Sequence, residues 1–311
     1  SNPSGMKILD FDQDGLNDVL IFVPYDDPVA LRQVEPENYE VIDSPQAQAS
    51  LIKTASMRST FVANVDSEPG RELLTGQDNY ARSLVFADGE QWQVVDQYNA
   101  KSRENNVSAV AAYLMEGVSQ GGKPVILLLD SQKQRLQIMK VQDDGTYRFE
   151  KELEVGPWDS VAGLKIRYAA LTGHDVKSLI VFDSSKFAII TPPSEAARTG
   201  TLEQMFSYET QIKDGGYGRL EPGEINNDGR ADLVMLDSQE NHIEILGLNS
   251  QWKPVPAFRF KVYEEKHYQQ GGGSSDSTPE PRELAIADVT ADGKNDLIAI
   301  IHDRVIIYPQ D

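Results

Sequence analysis

The sequence predicts an all-β fold, a β-propeller of six blades with about four antiparallel strands in each. Three observations carry that prediction. A unit of strand, aspartate turn and strand recurs along the chain; an oxygen-rich loop centred on glycine recurs in phase with it; and the shared spacing is in the fifties, much longer than a β-solenoid uses.

The strand unit is clearest where Lys123-Pro-Val-Ile-Leu-Leu-Leu-Asp130-Ser is set beside Ala231-Asp-Leu-Val-Met-Leu-Asp237-Ser. Leu179-Ile-Val-Phe-Asp183-Ser and Leu297-Ile-Ala-Ile-Ile-His-Asp303 are further copies. Continuous apolar runs such as Val125–Leu129 read as inner strands packed on both faces. The aspartate that ends each run reads as a local acceptor for turn backbone and needs no chemistry.

The loop position starts at Asp10, Asn64, Glu116, Leu171, Glu224 and Asp288, at intervals of 54, 52, 55, 53 and 64. The long interval holds residues 267–281, a Gly/Ser/Pro tract that reads as a flexible insertion. Residues 1–311 thus form one domain whose blades begin near 6, 58, 107, 166, 218 and 282. In the fifth, strands are expected at 218–225, 231–237, 241–248 and 257–264, the last alternating as a half-solvated outer strand does. The sixth blade ends at Asp311 after three strands, so its outer strand either comes from upstream in a longer parent or is missing. Seven blades, one of them outside this sequence, is the alternative count.

Three of the six loops carry one oxygen spacing: Asp10, Asp12, Asp14 and Asp18 around Gly15; Glu224, Asn226, Asp228 and Asp232 around Gly229; and Asp288, Thr290, Asp292 and Asp296 around Gly293. Side chains at positions 1, 3, 5 and 9 can converge on one hard cation, glycine at position 6 permits the bend, and the carbonyl at position 7 can add a ligand. An EF-hand is excluded, because it needs a bidentate Glu at position 12 and flanking helices. Position 12 here is Ile21, Met235 or Ala299, and each loop runs into a β-branched strand sequence.

These residues resemble the FG-GAP repeats of integrin alpha-chain propellers and, more closely, the bacterial VCBS or FG-GAP-like repeats. Phe11-Asp12-Gln13-Asp14-Gly15-Leu16-Asn17-Asp18-Val19-Leu20 carries the likeness almost residue for residue. The resemblance implies Ca²⁺ in the hairpin loop between the first two strands of a blade, and a binding role for the opposite face. Carried over loop by loop, it implies three sites: Asp10, Asp12, Asp14, Asp18 and the Leu16 carbonyl; Glu224, Asn226, Asp228, Asp232 and the Arg230 carbonyl; Asp288, Thr290, Asp292, Asp296 and the Lys294 carbonyl. A fourth set, Asn64, Asp66, Glu68 and Glu72, keeps the oxygens but has Pro69 where glycine is expected. The third and fourth loops retain only Glu116 and Asp175 and read as metal-free hairpins.

Charge narrows the partners. The net charge of −20, from 49 acidic and 29 basic residues, opposes a phosphate backbone, so nucleic acid is not expected. No apolar run approaches the roughly 18 residues of a membrane span. Zero cysteines exclude disulfides and thiol catalysis. The start at Ser1 reads as that of a processed or truncated chain, and weak calcium sites suit an exported protein: extracellular, periplasmic or at the cell surface.

Catalytic patterns are few. Gly117-Val-Ser119-Gln-Gly121 matches a nucleophile elbow in letters, but it leads into a strand where that motif requires a helix. His174, His242, His267 and His302 show no zinc spacing. The expected function is a non-enzymatic, calcium-binding module presenting a rigid face to a protein or glycan. Trp158, Tyr217, His267 and Tyr268 are its candidate contact residues, with blade packing as the competing role for the aromatics. The alternative is an extracellular carbohydrate-active enzyme, resembling propeller-fold polysaccharide lyases, with its site in a central cleft.

Overall fold

The computed structural model describes residues 5–23, 26–42, 51–66, 68–87, 91–115, 119, 122–155, 165–171, 177–191, 203–237, 239–262, 281–301 and 304–310. Residues 267–280 of the expected insertion lie outside these, as do Glu116, Trp158, His174, Asp175, His267, Tyr268, His302 and Asp303. The described residues form six antiparallel sheets of the β-propeller class, and contacts divide the chain into two compact units.

The first unit spans residues 1–165 with 193–202. Its first blade is β1 (Gly5–Leu9), β2 (Asp18–Phe22), β3 (Val29–Glu35) and β4 (Asn38–Ile42). The second is β5 (Thr60–Ala63), β6 (Glu72–Gln77), β7 (Tyr80–Ala87) and β8 (Gln91–Asn99). The third is β9 (Val107–Tyr113), β10 (Val125–Asp130), β11 (Arg135–Val141) and β12 (Tyr147–Glu154).

The second unit spans 166–192 with 203–311. Blade four is β13 (Lys165–Ala169), β14 (Ser178–Phe182), β15 (Lys186–Thr191) and β16 (Glu203–Glu209). Blade five is β17 (Tyr217–Gly223), β18 (Asp232–Asp237), β19 (His242–Leu248) and β20 (Pro254–Lys261). Blade six has three strands, β21 (Glu283–Ala287), β22 (Asp296–Ile301) and β23 (Arg304–Tyr308). In every blade the strands pair in chain order.

The continuous apolar runs follow from where each face of a blade goes. In β18, Leu233 and Met235 pack with Ile180 and Phe182 of blade four, while Val234 and Leu236 pack with Leu284 and Leu297 of blade six. In β6, Leu73 joins Leu20 and Phe22 of blade one, and Leu74 joins Val110 and Ile126 of blade three. Alternate residues thus serve alternate neighbours, so no position can be polar without cost. Outer strands lack that second neighbour, and β20 is exposed at most positions. It starts three residues before the expected 257; the register shifts between Ile245, opposite Phe258, and Leu246, opposite Pro256, so that Ala257 is the extra residue of a bulge and Pro256 stands beside it, one of the few strand positions where proline is tolerated.

The turn aspartates do more than close their own turns. Asp130 accepts the Lys133 N–H at 3.0 Å on one oxygen, and the Asn105 Nδ2 at 2.8 Å and Asn106 N–H at 3.0 Å on the other. Asp237 likewise accepts Gln239, Glu240 and, at 2.8 Å, Gly216 in the incoming connector. Each ties its β-turn to the segment that enters the blade.

Candidate metal centre

The three intact loops share one backbone path. The residue at position 4 is left-handed in each, Gln13 at φ 60°, Asn227 at 58° and Ala291 at 60°, and so is the glycine at position 6, at 95°, 79° and 87°. A Cβ on Gly15, Gly229 or Gly293 would meet nothing within 4 Å. Glycine is therefore required by the dihedral angle and not by space.

Position 9 is the first residue of the second strand, and its carboxylate is buried. Asp18, Asp232 and Asp296 are all at most 1% exposed. Each accepts the backbone N–H of position 2, Phe11 at 2.9 Å, Ile225 at 3.2 Å and Val289 at 2.9 Å. Position 1 folds over the turn: Asp10 accepts Asp14 and Gly15 N–H groups, and Asp288 accepts Asp292 and Gly293. Position 5 accepts the N–H of position 7 at 2.8–2.9 Å in all three loops.

The loops differ at position 3. In blade one the Asp10, Asp12 and Asp18 carboxylates converge, with one oxygen from each lying within 4.8 Å of the others. Among the described residues this grouping of three carboxylates occurs only there. In blade five the Asn226 Nδ2 donates to Asp232 at 3.2 Å, and in blade six the Thr290 hydroxyl donates to Asp296 at 3.1 Å. A neutral position 3 therefore satisfies the buried acid internally, whereas Asp12 can only add a like charge.

The electrostatics record that crowding. Burial pushes the Asp12 carboxyl up, and Asp14 and Asp10 push it further. Asp18 is raised mainly by burial, against backbone hydrogen bonds from Gln33 and Phe11 that favour its charged form. Asp232 is pushed up to about 6, first by burial and then by Glu224 and Asp228, with the Ile225 N–H opposing. Asp296 ends below the usual range, because hydrogen bonds from Val289, Gln310 and Thr290 outweigh its burial.

The donor set fits a hard divalent cation. All side-chain donors are oxygens, and the Glu224 Oε2 is buried without a hydrogen-bond partner. The fourth set is built partly alike: Glu72 is buried and accepts the Val65 N–H at 2.7 Å, burial raises its carboxyl, and its Oε1 has no partner. Asn64, however, turns its Nδ2 to the Glu68 carbonyl at 2.9 Å. The shared bond from position 2 to position 9 escapes a search for ligands; its trace in the sequence is the acid that opens four of the second strands.

Other expected residues take structural roles. The Ser119 Oγ accepts the Met115 N–H at 2.9 Å and contacts the Tyr113 carbonyl at 3.5 Å, which occupies it in a turn. Tyr217, expected in an exposed connector, is 2% exposed and donates its hydroxyl to the buried Glu244, which also accepts Tyr208 and Thr210 hydroxyls. Its acceptor lies 27 residues further on, two strands away in the same blade, and that bond holds the ring in the core. His242 lies in β19 and belongs to no acidic cluster among the described residues.

No family model and no curated protein matches the chain. Solved structures do match it throughout. A protein from Lactobacillus plantarum aligns at TM-score 0.58 and 12% identity, over 100% of this chain and 81% of its own. An Agrocybe aegerita lectin that recognises non-reducing terminal N-acetylglucosamine aligns at TM-score 0.57 and 12% identity, over 99% and 77%. A candidate 6-phosphogluconolactonase from Bacteroides fragilis aligns at 0.53 and 10%, over 98% and 90%. At such identities the likeness shows the fold, a six-bladed β-propeller, and a fold shared by a lectin and a candidate lactonase does not choose between binding and catalysis.

Proposed function

We propose that this chain is a calcium-stabilised propeller of the FG-GAP or VCBS type that serves as a rigid binding module for a protein or glycan. The observation that supports it is the common backbone path of the three loops, with the same two left-handed positions and hard oxygens at the same places. Each ion would tie the first strand of a blade to the second and stabilise the folded state by mass action. Loops of this kind saturate the cation with protein oxygens, so the metal is structural. The occupied serine of the elbow-like motif favours binding over acyl chemistry, and the glycan-binding neighbour is an example of the same fold at work as a lectin. Sites of this exposed type belong with the high calcium of an extracellular, periplasmic or cell-surface setting.

Thermal unfolding in EDTA, in Mg²⁺ and in Ca²⁺ tests the metal. Saturating Ca²⁺, at a hundredfold excess over Kd, should add about 2.7 kcal/mol per occupied loop, and Mg²⁺ much less. An unchanged melting temperature in Ca²⁺ removes the proposal.

A further inference from the structure

A cavity of about 450 Å³ lies in the first unit, lined by Lys101, Ser102, Asn105, Lys133, Arg135 and Glu152. Its walls are the connector from β8 to β9, the turn from β10 to β11, and residues of β11 and β12. Because β10 runs away from the β9–β10 connection, the cavity sits at the opposite end of blade three from the loop position.

The charge is unusual for this molecule. On a chain of net charge −20, three of six lining residues are cations and one is an anion. Glu152 is shared, holding Lys101 Nζ at 3.0 Å and Arg135 Nη1 at 2.6 Å on one oxygen. Among the described residues the Lys133 ammonium pairs with Glu104 alone, at 3.8 Å, and that glutamate is 87% exposed, a pairing worth little in water. The nearby Asp130 is buried and already accepts three donors. Two cations that share one carboxylate and a third in a weak pair leave a surplus of donors facing the cavity.

The walls are held before any ligand arrives. Lys101 N–H donates to the buried Gln137 Oε1 at 2.8 Å, Ser102 N–H to Asn105 Oδ1 at 3.0 Å, and Asn105 Nδ2 to Asp130. Lys101 also lies 5.5 Å from the Phe149 ring centroid. Lys101 and Arg135, already held on Glu152, lose less freedom on binding than unpaired side chains would.

We infer that this cavity binds the oxyanion group of an acidic saccharide, a carboxylate or sulfate ester gripped by Lys133, Arg135 and Lys101. The volume falls in the range of small-molecule sites and exceeds what a bare oxyanion fills. The rest of the lining is the Ser102 hydroxyl, the Glu152 carboxylate and the aliphatic stems of the cations, which suit the hydroxyl groups and C–H faces of a sugar. This rests on the reading of the chain as a binding module and supplies its ligand class.

Calorimetric titration of the intact, calcium-loaded chain with galacturonate, galactose 6-sulfate, galactose and inorganic sulfate tests it. Saturable binding of an acidic sugar and none of galactose is expected, with affinity falling about tenfold or more in the Lys133→Gln/Arg135→Gln double variant. Glu152→Gln, which releases two cations, should bind more tightly. Equal binding of galactose, binding of sulfate alone, unchanged affinity in the double variant, or no acidic sugar bound up to about 10 mM would each overturn the assignment. The calcium melts are read separately, so a failure of one leaves the other standing.

Discussion

Blade five and blade three are built alike except at one end. Both have a buried second strand without a polar break and an aspartate turn that grips the incoming connector. In blade five the first hairpin carries Glu224, Asn226, Asp228 and the buried Asp232. In blade three Pro124 stands where that buried acid would be, and the Ser119 hydroxyl accepts a turn N–H. The sheet survives that exchange, so the acidic loop is an addition to a blade that strand packing already holds.

Experiments can break that comparison at several strengths. The largest loss should come from the shared part. Leu128→Ala in β10, fully within the core, should cost about 2–5 kcal/mol in denaturant unfolding and the same with or without Ca²⁺. Asp228→Ala should cost up to about 2.7 kcal/mol in Ca²⁺ and little in EDTA, where it also relieves like-charge repulsion on Asp232. An equal loss in EDTA would make Asp228 a turn residue only. Asp130→Ala, which strands three donors, should cost about 1–3 kcal/mol regardless of Ca²⁺. Gly229→Ala should cost about 1 kcal/mol from its φ of +79° alone, since the space beside it is open.

The smallest effect is one of pH. Burial raises the Glu152 carboxyl, but the hydrogen bonds and charges of Lys101 and Arg135 outweigh it and hold the group below its usual range. Its stabilisation is therefore complete above the ordinary glutamate pKa and lost as pH falls through the lower, folded value. Glu152→Gln should flatten that part of the stability curve; an identical acid profile in the variant would show that the pair contributes nothing.

Much of the fold was legible because its signals are local. The five-residue runs, the turn aspartates and the period of the loops placed the first strands near 6, 58, 107, 166, 218 and 282, and they begin at Gly5, Thr60, Val107, Lys165, Tyr217 and Glu283. The loop pattern was equally plain, since positions 1 to 9 lie within one hairpin. For Tyr217 the sequence leaves surface contact and blade packing both open, because nothing near it shows that Glu244 will receive its hydroxyl. The cationic cavity was invisible for the same reason, with Lys101, Lys133 and Glu152 arriving from three segments.

By itself, then, the sequence determined the blades and the acidic hairpins, because alternation, turn chemistry and loop spacing act over a few residues. Only the tertiary structure decided which carboxylates are buried, which neutral side chains turn inward to satisfy them, and where positive charge gathers on an acidic chain. Those depend on contacts between strands and blades that sequence distance does not record, and a charge takes its energy from whatever the fold brings beside it.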